Sequence, residues 1–389
     1  MTSFARKLAA PIAARLLKKL TGWTPEASGS PFGHAIVRSR SLARTAFLFH
    51  TPELLNHFAR VMDLLPAGSF DLVVCRDAEN SQEVQTAAAR WKSKVIPVSE
   101  VISSRRRYDW LVSNHPTMLG DPSIFKHLAA INVRFMYAIG KSGWNLSAWN
   151  SLYDVILCFG PYHAVELARR TNAAIVQMGY PRLDGFFTEP SNRDNLRKRF
   201  NCDPIKQTVV WLPTWKELST VGVFDEQVSG LMSEYNVIVK VHPLMVTTEP
   251  QRVAGLRRFR FTQLITDASD NLALYQLADF MLFDYGGPPF AAVYTDKKML
   301  LLNIPAAEKD ALTGVDSPDI TIRRTMANIN QTEGDIGRLL RDEQLWTAQK
   351  RQRQVLRREY FAPYYGYSAN VAALALSNLE HIVGAKPGT

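Results

Sequence analysis

Short apolar runs, rich in β-branched residues, recur along this chain and alternate with helix-compatible segments. They lie at Thr45–His50, Asp71–Cys75, Lys94–Val98, Trp110–Asn114, Val133–Ile139, Val155–Phe159 and Ala174–Gly179. Between them come segments such as Pro52–Leu65, Ser81–Trp91 and Tyr162–Arg170. Runs that are apolar throughout, and not on alternate residues only, belong to strands buried on both faces, so the pattern predicts βαβ units around a parallel sheet. After a polar stretch, Thr188–Gln207, the alternation restarts at Thr208–Leu212, Val237–Val241, Arg260–Thr262, Phe280–Asp284 and Met299–Asn303. The chain's 389 residues suffice for two such units at roughly 150 residues each. The division read from the sequence is a basic helix and linker over 1–32, a Rossmann-like lobe over 33–190, a second over 191–345, and C-terminal helices over 346–389.

Charge narrows the partner. The 46 Lys and Arg exceed the 36 Asp and Glu by ten, which points to an anionic partner. Five of those charges, Arg6, Lys7, Arg15, Lys18 and Lys19, fall within the first twenty residues, where there is no acid. There Phe4, Leu8, Ile12, Leu16 and Leu20 repeat every fourth residue and form an apolar stripe, which Pro11 kinks. A basic amphipathic helix of this kind predicts an interfacial anchor on an anionic membrane surface. Thr21–Gly33 then reads as a linker. No run approaches the roughly 20 apolar residues of a membrane span. Charges continuing through the apolar stripe argue against a signal peptide. Cys75, Cys158 and Cys202 are far apart and form no C-x-x-C pair, which argues against a disulfide framework or a cysteine-built zinc site and favours a reducing compartment. Lys350, Arg351, Arg353, Arg357 and Arg358 read as a solvated helix face. No nucleic-acid module is visible, so nucleic acid is not an expected partner.

In doubly wound sheets ligands bind beyond the carboxyl ends of the strands, and five loops there carry chemistry. Asp284-Tyr-Gly286-Gly287-Pro-Pro289 follows an apolar strand. Its glycines allow a phosphate to approach the backbone, with the next helix offering N–H groups, although a tight turn without ligand explains them equally. Lys240 and His242 end another strand two residues apart, which places a cation and an imidazole on one side. Thr214, Trp215 and Lys216 bring a hydroxyl, an aromatic ring and a cation into one loop. Arg182 either contacts phosphate or pairs with Asp184. His115 follows a first-lobe strand. No D-x-D pair, H-E-x-x-H, G-x-S-x-G or Walker loop is present. The common chemistry is anion binding with no metal site and no cofactor, as in an enzyme acting on a phosphorylated, nucleotide-activated substrate.

Taken in order, Gly179-Tyr-Pro-Arg-Leu-Asp184, Pro213-Thr-Trp-Lys216, Lys240-Val-His-Pro243, Ala278-Asp-Phe-Met-Leu-Phe-Asp-Tyr285 and Arg358-Glu-Tyr-Phe with Tyr365-Gly-Tyr-Ser368 resemble the CDP-glycerol glycerophosphotransferase family. That family comprises the teichoic-acid primases and polymerases and their capsule-polymer relatives. The resemblance covers roughly Val133–Leu376. It implies a GT-B fold and a peripheral enzyme on the cytoplasmic face of a bacterial membrane. It also implies transfer of glycerol phosphate, or a similar phosphopolyol, from a CDP-linked donor to a hydroxyl of a lipid-linked or polymer acceptor. His242 would then stabilise the transferring phosphate, with Lys240, Thr214, Lys216, Arg182, Asp284, Gly286 and Gly287 around the donor. Asp284-Tyr-Gly-Gly287 stands where the family has Asp-Tyr-Ser-Ser, and Ala138-Ile-Gly140-Lys141 where it has Trp-His-Gly. With the family's histidine absent, His115 is the expected general base. Two alternatives remain: a GT-B glycosyltransferase using a nucleotide-sugar, and a catalytically degenerate membrane-associated scaffold.

Overall fold

The computed structural model describes residues 45–384 apart from 104–106, 117–121, 190, 306 and 333. The amphipathic helix and linker expected over 1–32 lie outside the described residues. The chain forms two compact units. Of the described residues, one takes in those up to Met136, Ala148–Asp184 and those from Ala362; the other takes in those of Tyr137–Ser147 and Gly185–Phe361.

The first unit holds a seven-stranded, wholly parallel sheet of order β3-β2-β1-β4-β5-β6-β7. Its strands are β1 Thr45–Phe49, β2 Phe70–Val74, β3 Val95–Pro97, β4 Tyr108–Ser113, β5 Ala129–Phe135, β6 Val155–Cys158 and β7 Ala174–Gln177. Every residue of β1, Thr-Ala-Phe-Leu-Phe, is buried, as a central strand covered by helices on both faces requires. Helices start where the sequence caps them. Ser81, in extended conformation, accepts the Val84 N–H before Gln82–Trp91 and so satisfies one of that helix's unpaired donors.

The second unit repeats the scheme with six parallel strands, β10-β9-β8-β11-β12-β13. These are β8 Thr208–Leu212, β9 Asn236–Lys240, β10 Gln263–Ile265, β11 Phe280–Phe283, β12 Lys298–Leu302 and β13 Asn328–Ile329. Both sheets therefore have the Rossmann order, and each reverses direction beside its first strand: between β1 and β4, and between β8 and β11. The β10 strand lies three residues beyond the expected Arg260–Thr262; its pairing with β9 begins at Gln263, and the Thr262 hydroxyl before it accepts the Val237 N–H. At two residues, β13 is too short to leave a hydrophobic pattern.

Two sequence expectations need correction. Contiguous lobes divided at 190/191 do not describe the chain, since 137–147 joins the second unit and the C-terminal helices split at Phe361. Nor is the basic run on helix Glu343–Tyr360 simply solvated. Arg353 is buried against Asp296 at 2.7 Å, and the Arg357 guanidinium lies over Phe187 and Tyr294.

Candidate functional site

In the second unit the crevice opens where β8 and β11 part. Leu212 pairs with Phe283, so Pro213-Thr214 and Asp284-Tyr285 leave the sheet side by side. Asp284 lies under them, 1% exposed. Its carboxylate accepts the N–H groups of Thr214 (2.8 Å), Tyr285 (2.8 Å) and Thr220 (3.0 Å) and the Thr220 hydroxyl (3.1 Å). Burial raises its pKa to about 6, against the pull of those donors. Asp284 is thus not a phosphate ligand. Its oxygens are spent on protein donors, and what it does is fix the two loops. The Thr214 hydroxyl has no partner among the described residues, so it is available to a ligand.

Around Thr214 the predicted polar groups divide. Lys216 has left-handed backbone (φ +59°), held there because Glu249 accepts its N–H at 2.8 Å and Arg252 donates to its carbonyl at 2.8 Å. Its ammonium lies 4.3 Å from the centre of the Trp215 ring, and the His242 ring stacks on the same indole at 5.9 Å. The His242 Nδ1 accepts the Leu244 N–H at 3.1 Å, capping helix Pro243–Thr248 and leaving the ring proton of the neutral imidazole on Nε2. Thr214, Lys216 and His242 are therefore brought together about Trp215. Lys240 is not one of this group. Its ammonium donates to the carbonyl and hydroxyl of Ser269 and lies 3.7 Å from Asp267, leaving the side chain 5% exposed. Lys240 and His242, two residues apart at the end of β9, thus have different partners: the lysine is engaged by Ser269 and Asp267, while the histidine caps helix Pro243–Thr248 and stacks on Trp215.

The Gly286-Gly287 turn also differs from expectation. Gly286 takes φ +107°, which suits glycine, but its N–H goes to Asp319 Oδ1 at 2.6 Å. The next helix, Pro288–Tyr294, begins with two prolines that have no N–H. Among the described residues Gly287 alone keeps an N–H without an acceptor at this turn. An anion here depends on side chains, not on a row of helix donors. Two residues that the sequence reading overlooked organise this turn. The Asp319 carboxylate accepts the N–H of Lys141, that of Gly286 and the Ser317 hydroxyl. Arg323 stacks 3.7 Å from the Tyr285 ring centre and donates to the carbonyls of Asp284, Asp319 and Leu302. Neither stands in a strand-end motif, so no local signal marks them.

The first unit's switch point holds His50 after β1 and His115 after β4, ring centres 5.1 Å apart. Burial, then the charges of neighbouring His50, Arg134 and Arg76, hold the His115 pKa down to about 3. Such an imidazole is neutral but a weak proton acceptor, which counts against His115 as general base. Arg182 lies in this unit too. It meets His57 at 3.0 Å, while the Asp184 carboxylate accepts the N–H groups of Ser368 and Ala369 at the start of helix Ser368–Ser377. Ser368 Oγ in turn accepts the Tyr180 N–H at 2.9 Å. Gly179-Tyr-Pro-Arg-Leu-Asp184 and Tyr365-Gly-Tyr-Ser368 are thus two halves of one structural lock. Among the described residues no cluster of His, Cys, Asp and Glu has the makings of a metal site, and no helix is long and apolar enough to cross a membrane.

With this geometry established, known proteins supply the comparison. The model of the family described as CDP-Glycerol:Poly(glycerophosphate) glycerophosphotransferase matches residues 162–302, a segment containing Thr214, Lys216, His242, Asp284 and the Gly286-Gly287 turn. No curated protein matches the sequence. Among solved structures, the wall teichoic acid polymerase TagF is similar at 12% identity and a TM-score of 0.58, covering 97% of each chain. A second TagF structure gives 12% and 0.56 over 96% of this chain and 95% of that one. The Anabaena protein Alr3699/HepE in complex with UDP and glucose gives 12% and 0.50, covering 87% of this chain and 98% of that one. At such identities these likenesses speak for the fold, two Rossmann-type units of the GT-B class.

Proposed function

We propose that this chain, whose residues 162–302 match the CDP-glycerol glycerophosphotransferase family model, is a divergent member of that family and transfers glycerol phosphate, or a similar phosphopolyol, from a CDP-linked donor to an acceptor hydroxyl in bacterial cell-surface polymer synthesis. The family match over 162–302, spanning the β8/β11 crevice, carries this reading. In the reaction the acceptor oxygen bonds to the phosphorus bearing the glycerol. The bond from that phosphorus to the bridging oxygen breaks, CMP leaves with the electron pair, and the acceptor's proton is lost. His242 donates from Nε2 to a non-bridging phosphoryl oxygen, while Lys216 and the Thr214 hydroxyl hold the donor's charge as it develops. Preorganisation by Trp215, Glu249 and Arg252 lets these groups act without rearranging. The acceptor is lipid-linked or polymeric, and the basic N-terminal segment keeps the enzyme on the cytoplasmic membrane surface.

CMP release from CDP-glycerol in the presence of membranes tests the reading. His242→Ala should lower turnover by about a hundredfold or more with the fold retained. Turnover within a few fold of wild type removes His242 from the mechanism. A second reading, a glycosyltransferase using a nucleotide-sugar, draws on the glycines at 286 and 287 that replace the family's serines and on the likeness to a UDP- and glucose-bound structure. A donor panel scored by the nucleotide released separates the two.

A further inference from the structure

The segment Tyr137–Ser147 follows β5 of the first sheet in sequence, yet it is built into the second unit, and its attachment there is specific. One carboxylate, Asp319, accepts both the Lys141 N–H and the Gly286 N–H. The rest of the segment is pinned beside it. Ser142 donates to Ser317 Oγ at 3.2 Å, Gly143 to the Thr313 carbonyl at 3.3 Å and Trp144 to the Leu312 carbonyl at 3.1 Å. Two of its glycines are required by contact. A Cβ at Gly140 would collide with the Asp319 carboxylate, and one at Gly143 would lie 2.5 Å from the Ala311 carbonyl oxygen. Ala138 lies against Gly287, its Cβ 3.7 Å from where a Cβ on that glycine would stand.

At the centre of this attachment Lys141 takes left-handed backbone, φ +56° and ψ +61°. A side-chain-bearing residue in that region carries a cost, which persists where surrounding contacts overdetermine it. Its side chain is half-buried, and its ammonium has no acceptor among the described residues. One carboxylate bridges its amide to that of Gly286, so the two nitrogens lie within roughly 7 Å of each other, a distance the lysine's four-carbon stem can cover. The turn it adjoins is short of donors, since Asp319 takes the Gly286 N–H and prolines occupy 288 and 289.

We propose that Lys141 binds the diphosphate of the nucleotide donor at the Gly286-Gly287 turn, and that Asp319 is the positioning residue that holds Lys141 there. This rests on the nucleotide-donor reading above and extends it. The ammonium supplies a charged donor where the family's Asp-Tyr-Ser-Ser pattern would offer neutral hydroxyl donors. Asp319 does not oppose the anion, because its charge is engaged by two amides and a hydroxyl.

The test is calorimetric titration of the full chain with CDP and UDP, with cytidine and uridine as controls lacking phosphate. Lys141→Met keeps the stem and the backbone bond to Asp319 and removes only the charge. It should weaken whichever diphosphate the wild type binds by roughly ten- to a hundredfold, leave the nucleoside unchanged, and be largely rescued in Lys141→Arg. Asp319→Asn should produce the same selective loss. Wild-type affinity for the diphosphate in Lys141→Met overturns the proposal and leaves the nucleotide-donor reading standing. Binding of neither CDP nor UDP by the wild type overturns both. Binding of UDP but not CDP rejects the CDP-glycerol donor and still decides the role of Lys141.

Discussion

Replacing Asp284 by asparagine offers a measurable consequence of burying a carboxylate at the floor of the crevice. Four donors converge on it: the N–H groups of Thr214, Thr220 and Tyr285 and the Thr220 hydroxyl. Asparagine retains one acceptor oxygen and turns an NH₂ toward the others. If two of the four lose their acceptor, the cost is about 2–6 kcal/mol. Against this, burial raises the carboxyl pKa from 3.8 to about 6, a difference worth about 3 kcal/mol. The sign follows from linkage. The folded protein holds this proton more tightly than the unfolded chain, so its contribution to wild-type stability is fully present below the unfolded value, declines as pH rises through about 6, and is level above that. Asparagine has no such titration, so the cost of Asp284→Asn should shrink by about 2 kcal/mol between pH 4.5 and 7.5. Urea unfolding of both proteins across that range measures it, and comparison at each pH cancels the other titrating groups. Trp211 donates to Thr220 Oγ1 and supplies a fluorescence reporter beside the substitution. A cost that stays constant, or grows as pH rises, refutes the reasoning, because it means the four donors outweigh burial and the carboxylate ionises in the ordinary range.

Gly179→Ala should destabilise the first unit by at least about 2 kcal/mol, since φ is +78° and a Cβ there meets the Ser368 side chain. Ser368→Ala in the same chain should relieve only the steric part, so a double-mutant cycle that shows no coupling rejects the lock. Lys240→Met should lower stability by about 1–3 kcal/mol through loss of its Ser269 and Asp267 partners, while leaving nucleotide affinity within a few fold; a large loss of affinity at unchanged stability returns Lys240 to the ligand site. Removing residues 1–22 should shift the protein from the membrane pellet to the supernatant, and unchanged fractionation rejects the interfacial anchor.

How much of the candidate site is legible in the sequence follows from the range of the interactions that build it. Thr214, Lys216 and His242 were legible because each follows a strand whose apolar run is visible, and strand ends in a doubly wound sheet are where ligands meet the chain. Their roles were less legible. Lys240 and Asp284 are also charged residues at strand ends, but they face inward, bound to Ser269, Asp267, Thr220 and Thr214. Residue type does not reveal which way a side chain turns.

By itself the sequence determined the two parallel sheets, eleven of the thirteen strands, and the strand ends that border the candidate site. The reason is that burial on both faces writes a strand into consecutive residues. Only the tertiary structure decided that Asp319 and Arg323 organise the Gly286 turn, that Asp184 anchors Ser368, and that 137–147 belongs with the second unit. Those are contacts between residues tens to nearly two hundred positions apart, set by how the strands order themselves and not by any local pattern.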